Sequence, residues 1–488
     1  MKNKLINSIF AVLLLSTVGC SEDYLNTEPT EIITQEQYTE AAANNPALVK
    51  GLVSGIYSTM FETGTGGTNL DHDDFGQKGY DIYSDMLSGD MALSASVYGW
   101  YSRLVNYQAT VDFTRNENYK PWRYYYRIIR SCNIVIKTLG GNDITPVNQE
   151  NKYLMGQAKA LRGYAYFYLA QFYSREFESS RAILPIYTDP EQQAQPKSTT
   201  ADVYALIVSD LNSAITLLNG YTRENKNQVN DVVAKGLLAY TYAAMGMNAE
   251  AKDLSVDIVN NGGFPKTTAL ELKGGFNNVN TPSWMWGADL TTDQGLDLVS
   301  WWGQVDVYTY SYAWAGDRKV MDNALYASIP ASDIRKTQFS ASTQLPLNKF
   351  FDPAKVAGGQ RNITTDYIYM RVDEFYLLGA EAAAKSGDEA TAKSLLSNLL
   401  SNRLTSTTYI DALTGQALLD EIYKQTRIEL WGEGKSYLSM KRNHKNATRG
   451  TNHVYQAGTS TPSNDEKLTF KIPQAEVLNN PFIDGQNY

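Results

Sequence analysis

Cysteine is almost missing from this chain. Its 488 residues include two, Cys20 and Cys132, so no disulfide framework staples the fold and stability must come from a packed interior. Histidine is nearly as scarce: there are three, none in an H-E-x-x-H or C-x-x-C setting, which removes the common sequence signatures of a zinc site. No Ser occupies a G-x-S-x-G elbow, so the usual hydrolase nucleophile is lacking as well. Cations are outnumbered, with 43 Lys and Arg against 52 Asp and Glu. A net charge of −9 argues against nucleic acid or an anionic lipid surface as partner. After the first fifteen residues, no apolar run is long enough to span a bilayer.

Those first residues have a pattern of their own. Lys2 and Lys4 precede an apolar run from Leu5 to Leu15, broken by Asn7 and Ser8. The run is too short for a mature membrane helix but suits a secretory signal. Small residues, Ser16-Thr17-Val18-Gly19, lead to Cys20 in the manner of a bacterial lipobox. Residues 1–19 are therefore expected to be a cleaved signal peptide, with Cys20 as the lipid attachment site. Acyl chains there would anchor the protein, each buried CH₂ contributing roughly 0.8 kcal/mol. Residues 20–34 contain the polar, acidic "SEDYLNTEPTEIIT" and read as the lipidated start and a tether. Cys132 then lacks a partner; in the apolar helical pattern "YYRIIRSCNIVIKTL" it reads as a small core residue.

From about residue 35 the spacing is mostly helical, with helices predicted over 35–61, 121–139, 151–174, 200–219, 230–260, 367–386, 388–403 and 416–442. Two stretches match each other. "AAMGMNAEAKDL" places Gly246 five residues before Ala251, and "AAAKSGDEATAKSL" places Gly387 five before Ala392. Each reads as a helix, a Gly-containing turn and a second helix, the logic of a tetratricopeptide pair. The copies lie 141 residues apart, so the array is interrupted. The interruption, 262–366, is rich in Gly, Thr, Asn and Pro, alternates like strands in "VDVYTYSYAW", and holds five of the eight Trp. The expected fold is mainly α. Tetratricopeptide-like helix pairs form a scaffold within a single domain, 35–488, and a loop-rich insert at about 262–366 contains short β-strands.

Several constellations imitate chemistry. "WGEGKS" ends like a phosphate loop, yet the Gly required five residues before Gly434 is Glu429. Glu429 and Glu433 are four apart on a predicted helix, as a glycosidase pair could be, but Arg427 and Lys435 beside them favour ionised, ion-paired carboxylates. "DHDD", Asp71 to Asp74, lacks calcium-loop spacing and reads as a solvated loop face. No metal or cofactor is expected.

Aromatic residues are the stronger signal: 34 Tyr and 8 Trp. Trp301, Trp302, Tyr308, Tyr310, Tyr312 and Trp314 cluster in the insert, and Tyr98, Trp100 and Tyr101 in "SVYGWYSRL". Flat rings match the apolar C–H faces of sugars, with nearby polar groups orienting hydroxyls. The ligand candidates are Trp301, Trp302, Tyr308, Tyr310, Tyr98 and Trp100. "SWMWGADL" alternates as a buried strand would, placing Trp284 and Trp286 in packing. If "DLVSWWGQVDVYTY" is extended, Trp301 and Trp302 point to opposite faces, with Trp302 the outward ring.

Longer stretches resemble the SusD/RagB family of outer-membrane nutrient-binding lipoproteins from Bacteroidetes. They are "CSEDYLNTEP", "DHDDFGQKGYDIYSDMLSGDM", "AKALRGYAYFYLAQFYS", "RVDEFYLLGAEAAAKSGD", "TRIELWGEGKSYLSMKR" and the terminal "FKIPQAEVLNNPFIDGQN". Ser439 stands where that pattern usually has Asp. The resemblance implies four tetratricopeptide-like helix pairs, a looped ligand face and attachment at the cell surface. It implies capture of an oligo- or polysaccharide without catalysis, and a SusC-like TonB-dependent transporter as partner. A peptide-binding RagB-like protein and a surface glycoside hydrolase are the alternative readings.

Overall fold

A computed structural model describes residues 41–487, apart from 43, 44 and 70. The signal peptide, the acylated Cys20 and the tether expected over 1–34 lie outside the described residues. Eleven helices carry the scaffold: α1 (Pro46–Thr59), α2 (Gln77–Ser88), α3 (Asn116–Thr138), α4 (Gln149–Tyr173), α5 (Thr200–Leu217), α6 (Asp231–Ala244), α7 (Asn248–Asn261), α8 (Asp373–Lys385), α9 (Glu389–Leu400), α10 (Gly415–Glu429) and α11 (Ser436–Arg442). Their starts follow local chemistry. Asn148 accepts from the amides of Glu150 and Asn151 to open α4, Asn230 from Val233 to open α6, and Asp388 from Thr391 to open α9.

The two matching hairpins are α6–α7 and α8–α9. Gly246 and Gly387 stand at the same place in each and have φ of +77° and +84°, a conformation that costs a side chain but not glycine. From α3 to α10 each helix packs on the next, α7 directly on α8. Copies far apart in sequence are thus neighbours in space, with the insert looped out between them. At that junction Gly379 leaves no room for a side chain: a Cβ there would sit 2.9 Å from that of Ser255. Lys252 reaches Asp388 at 3.4 Å, linking the two hairpin turns. Cys132 is buried in the core, as expected.

Short antiparallel strand pairs fasten the loops. β1 (Met91–Leu93) pairs with β5 (Lys319–Met321), and β2 (Ala182–Pro185) with β3 (Lys197–Thr199). β4 (Trp284–Ala288) pairs with β6 (Tyr367–Arg371), bringing Trp284 opposite Arg371. β4 is buried throughout, so Trp284 and Trp286 are packing residues. β6 runs almost directly into α8, so that helix begins at Asp373 instead of 367.

Two local expectations are corrected. Residues 77–88 lie outside the helices predicted above, yet they form α2, buried on every side; its polar side chains face protein instead of solvent, so apolar–polar alternation does not mark a wet face there. Conversely, "DLVSWWGQVDVYTY" is not an extended segment. Trp301–Val305 is a helical turn, opened by Ser300 accepting from the Gly303 amide at 3.0 Å. Trp301 and Trp302 are 2% and 1% exposed. Their rings meet edge-to-face at 5.0 Å, and Phe350 packs on Trp301 at 4.5 Å. Both are core residues, so neither offers a ring to a ligand, and Trp302 is not outward-facing.

Candidate functional site

Pairing of β1 with β5 brings two distant loops side by side: 94–101, which follows β1, and 306–318, which precedes β5. The Ser94 amide donates to the Arg318 carbonyl at 2.9 Å, and the Arg318 amide to Ala95 at 3.1 Å. Beyond them the buried Asp317 carboxylate accepts from the backbone amides of Val97 and Tyr98, the latter at 2.8 Å. This clamp fixes the loop tip. On the far side, residues 307–310 run beside 358–360, with the Tyr310 amide donating to Gln360 at 2.8 Å and Gly359 to Tyr308 at 2.9 Å. Asp306 ties that segment down, accepting from Tyr308, Thr309 and Asp352. Burial lifts its pKa to about 6.

On this support sits a patch of rings. Tyr98, 59% exposed, meets Tyr312 edge-on at 5.3 Å. Half-buried Trp100 lies parallel to the His72 imidazole at 5.1 Å and edge-on to Tyr312 at 6.2 Å. The Tyr312 hydroxyl and His72 Nδ1 are hydrogen-bonded. Trp314, 48% exposed, packs against Tyr310 at 5.7 Å, whose other partner is the Arg361 guanidinium at 4.1 Å. Behind Trp314 lies Gly358, with φ +63°, where an added Cβ would come within 2.7 Å of the indole. Val97 and Val356, both well exposed, border the same face through Gly316 and Gly359. A contiguous exposed apolar surface of this kind marks a binding region more than isolated exposure does. A cleft of about 340 Å³ opens beside Tyr98 and Trp100, with Asp73, Arg103 and Glu117 on its walls.

Of the sequence candidates, Tyr98, Trp100, Tyr308 and Tyr310 therefore lie in one region, with Tyr312 and Trp314 from the same aromatic cluster. Trp301 and Trp302 are separated from it by burial. The ring contacts of His72 and Arg361 were missed: His72 was read only as part of the "DHDD" loop face and Arg361 stands in no motif, and tertiary packing alone brings His72 against Trp100 and Arg361 against Tyr310.

Two family descriptions match the chain. Residues 69–242 match the SusD-like description "Starch-binding associating with outer membrane", and residues 292–488 match "SusD family". The chain belongs to the SusD/RagB family. A curated SusD-like protein, P25 of Formosa agariphila, is 23% identical over 231 residues, 46% of this chain but 40% of that protein. Among solved structures, a SusD-like carbohydrate-binding protein from Bacteroides vulgatus is 24% identical, with a TM-score of 0.74 over 89% of this chain and 96% of its own. Surface glycan-binding protein A of Bacteroides thetaiotaomicron, in complex with laminarihexaose, is 17% identical, with a TM-score of 0.65 over 90% and 98%. At these identities the likeness establishes the fold.

The SusD/RagB stretches near residues 371 and 427 have a structural role. Glu429 is ion-paired with Arg335, Arg371 and Arg403, and Glu433 with Arg371 and Lys349, all fully or almost fully buried. Despite desolvation, these cations hold the Glu429 carboxyl well below its ordinary range and that of Glu433 below it too. Such carboxylates stay ionised and cannot serve as the protonated acid of a glycosidase. The sequence neighbours Arg427 and Lys435 serve other partners: Asp90 at 2.5 Å and Glu374 at 3.6 Å. In "GEGKS", the Gly432 and Gly434 amides donate to the Asp85 carboxylate, occupying the donors a phosphate would need. "DHDD" is not a solvated face either. Asp73 and Asp74 are buried, Asp71 and Asp73 pair with Lys120 at 2.7 and 2.6 Å, and Asp74 accepts from Gly66 and Thr68.

Proposed function

We propose that this chain is a lipid-anchored, surface-exposed outer-membrane protein that binds a nutrient glycan and delivers it, unaltered, to a SusC-like TonB-dependent transporter. The observation that carries this reading is the ring patch in which Tyr98 and Trp314 are exposed and Trp100 is half-buried around the buried Tyr312, held by backbone hydrogen bonds and close Gly contacts. Rings fixed before the ligand arrives lose little entropy on binding. Tyr308, Tyr310 and the Arg361 guanidinium extend the face, and the carboxylates and amides around it can orient hydroxyls. The laminarihexaose complex of surface glycan-binding protein A supports a glycan as ligand. Anchoring is assigned to Cys20.

The test is a combined glycan and peptide array with the full chain, followed by calorimetry on the best ligand with Tyr98→Ala and Trp314→Ala. Glycan binding weakened by both substitutions is expected. Capture of peptides alone would replace the glycan reading by a RagB-like one, and shortening of the glycan during the assay would defeat the binding-only reading.

A further inference from the structure

Helix α3 carries Arg123, Arg127 and Arg130. At i, i+4 and i+7 they share one face of the helix and span about 10 Å along its axis. Their neighbours Trp122, Tyr125, Ile128 and Ile129 are buried, whereas all three arginines are exposed. Several guanidinia elsewhere have acidic partners, as Arg162 has Asp210 at 2.7 Å and Arg427 has Asp90. Among the described residues, Arg123, Arg127 and Arg130 have neither an ion pair nor a hydrogen-bond partner. In a chain of net charge −9, three unpaired cations in a row are a local reversal of the protein's field.

The stripe lines a cleft of about 620 Å³, roomier than the one beside Tyr98. Its walls include the partly exposed rings of Tyr119, Tyr126 and Tyr187. Tyr126 is braced by Trp122 at 4.8 Å and Tyr187 at 5.8 Å, and its hydroxyl donates to the Pro185 carbonyl at 2.8 Å. Two carboxylates face the arginines. Asp189 is paired with Lys137 at 3.3 Å, which leaves Glu476, an acceptor from Asn480, opposite three guanidinia. Past Tyr119 a second hollow of about 430 Å³ continues between Lys120 and the 66–69 loop, where Arg123 lies against Gly67.

We propose that this trough is a second binding site, for an acidic saccharide carrying carboxylate or sulfate groups along its length. Guanidinium forks match those anions in geometry as well as charge. The tyrosine rings offer flat faces to the C–H faces of the sugar, a contact that a run of acidic peptide residues cannot return. Glu476 is an acceptor for sugar hydroxyls. The proposal does not depend on the assignment of the Tyr98–Trp314 face.

The test is calorimetry of the detergent-purified full chain with four probes: hexagalacturonate, a chondroitin sulfate hexasaccharide, laminarihexaose and hexaglutamate. At least one acidic sugar should bind, with affinity falling about tenfold in Arg127→Ala/Arg130→Ala and similarly on raising salt from about 50 to about 500 mM. The Arg127→Lys/Arg130→Lys variant should recover part of the loss, because it keeps charge without the fork. Thermal unfolding should be unchanged, since both side chains are exposed. Failure of both acidic sugars to bind, or equal affinity in the double Ala variant, overturns the proposal. Binding of hexaglutamate as tightly as the sugars replaces it with an acidic-peptide site.

Discussion

Two tryptophans twelve residues apart should respond to truncation in opposite ways. Trp302 is 1% exposed, and its ring contacts Trp301 at 5.0 Å and Phe350 at 6.5 Å. Replacing a buried Trp by Ala costs about 3–5 kcal/mol, from lost burial and the cavity left behind. Unfolding entropy of about 2.1 cal/mol/K per residue over roughly 450 residues makes 1 kcal/mol worth about 1 °C. Trp302→Ala should therefore lower Tm by about 3–5 °C, with glycan affinity retained at temperatures where the variant is folded. Trp314 is nearly half exposed, with one face on Gly358 and its edge near Tyr310. Its removal should shift Tm by about 1 °C or less. An exposed stacking ring is worth roughly 1–3 kcal/mol by analogy with base–aromatic stacking. That corresponds to an affinity loss of about five- to 150-fold. Differential scanning fluorimetry and calorimetry on the two single variants decide it. Weak binding at unchanged Tm for Trp302→Ala, with early melting and full binding for Trp314→Ala, would refute the assignment.

Three further outcomes are expected. Glu429 and Glu433 have pKa values depressed in the folded state, so the stability they contribute is complete above the unfolded carboxylate pKa of about 4.3 and is lost as pH falls through the folded values. Glu433→Gln should cost about 3–5 kcal/mol near neutral pH by leaving Arg371 and Lys349 under-compensated; denaturant melts between pH 3 and 7 should show a shallower acid loss than in the parent chain, to be checked against about one proton's worth of slope. Burial depresses Lys319 and Lys441 to about 7; the unfolded chain then binds more protons between about pH 7 and 10, so stability rises with pH across that window, and Lys319→Met should flatten the rise in the same melts. Cys20→Ala should move the protein out of the membrane fraction while its melting profile is unchanged, and retention there in cells lacking the transporter would rule out the acyl anchor.

Legibility in the sequence was uneven for definite reasons. Helices with one wet face, such as α5 and α9, announced themselves, because solvent on one side and core on the other imposes a 3.6-residue alternation. The hairpin turns were readable because Gly246 and Gly387 answer a backbone demand that few other residues meet. Helix α2 escaped because it is enclosed on all sides and its polar residues face protein: Gln77 donates to Asp81 at 2.8 Å, and Lys78 pairs with Asp81. At the candidate ring patch, composition singled out the aromatic segments without separating a ring in the core from one on the surface.

The amino-acid sequence by itself determined the helical scaffold, the repeated hairpin, the aromatic richness of 262–366 and the absence of familiar catalytic motifs, all of which are written in local spacing and composition. Tertiary structure alone decided that the separated hairpins stack as neighbours, and that Glu429 reaches Arg335, Arg371 and Arg403 and not Arg427 beside it. It alone buried Trp301 and Trp302 while leaving Tyr98 and Trp314 exposed. Exposure is a property of what packs on a residue from elsewhere in the chain. For Trp301 that is Phe350, forty-nine positions away, and for Tyr98 the clamp is Asp317, more than two hundred positions away. No pattern confined to neighbouring residues encodes contacts of that range.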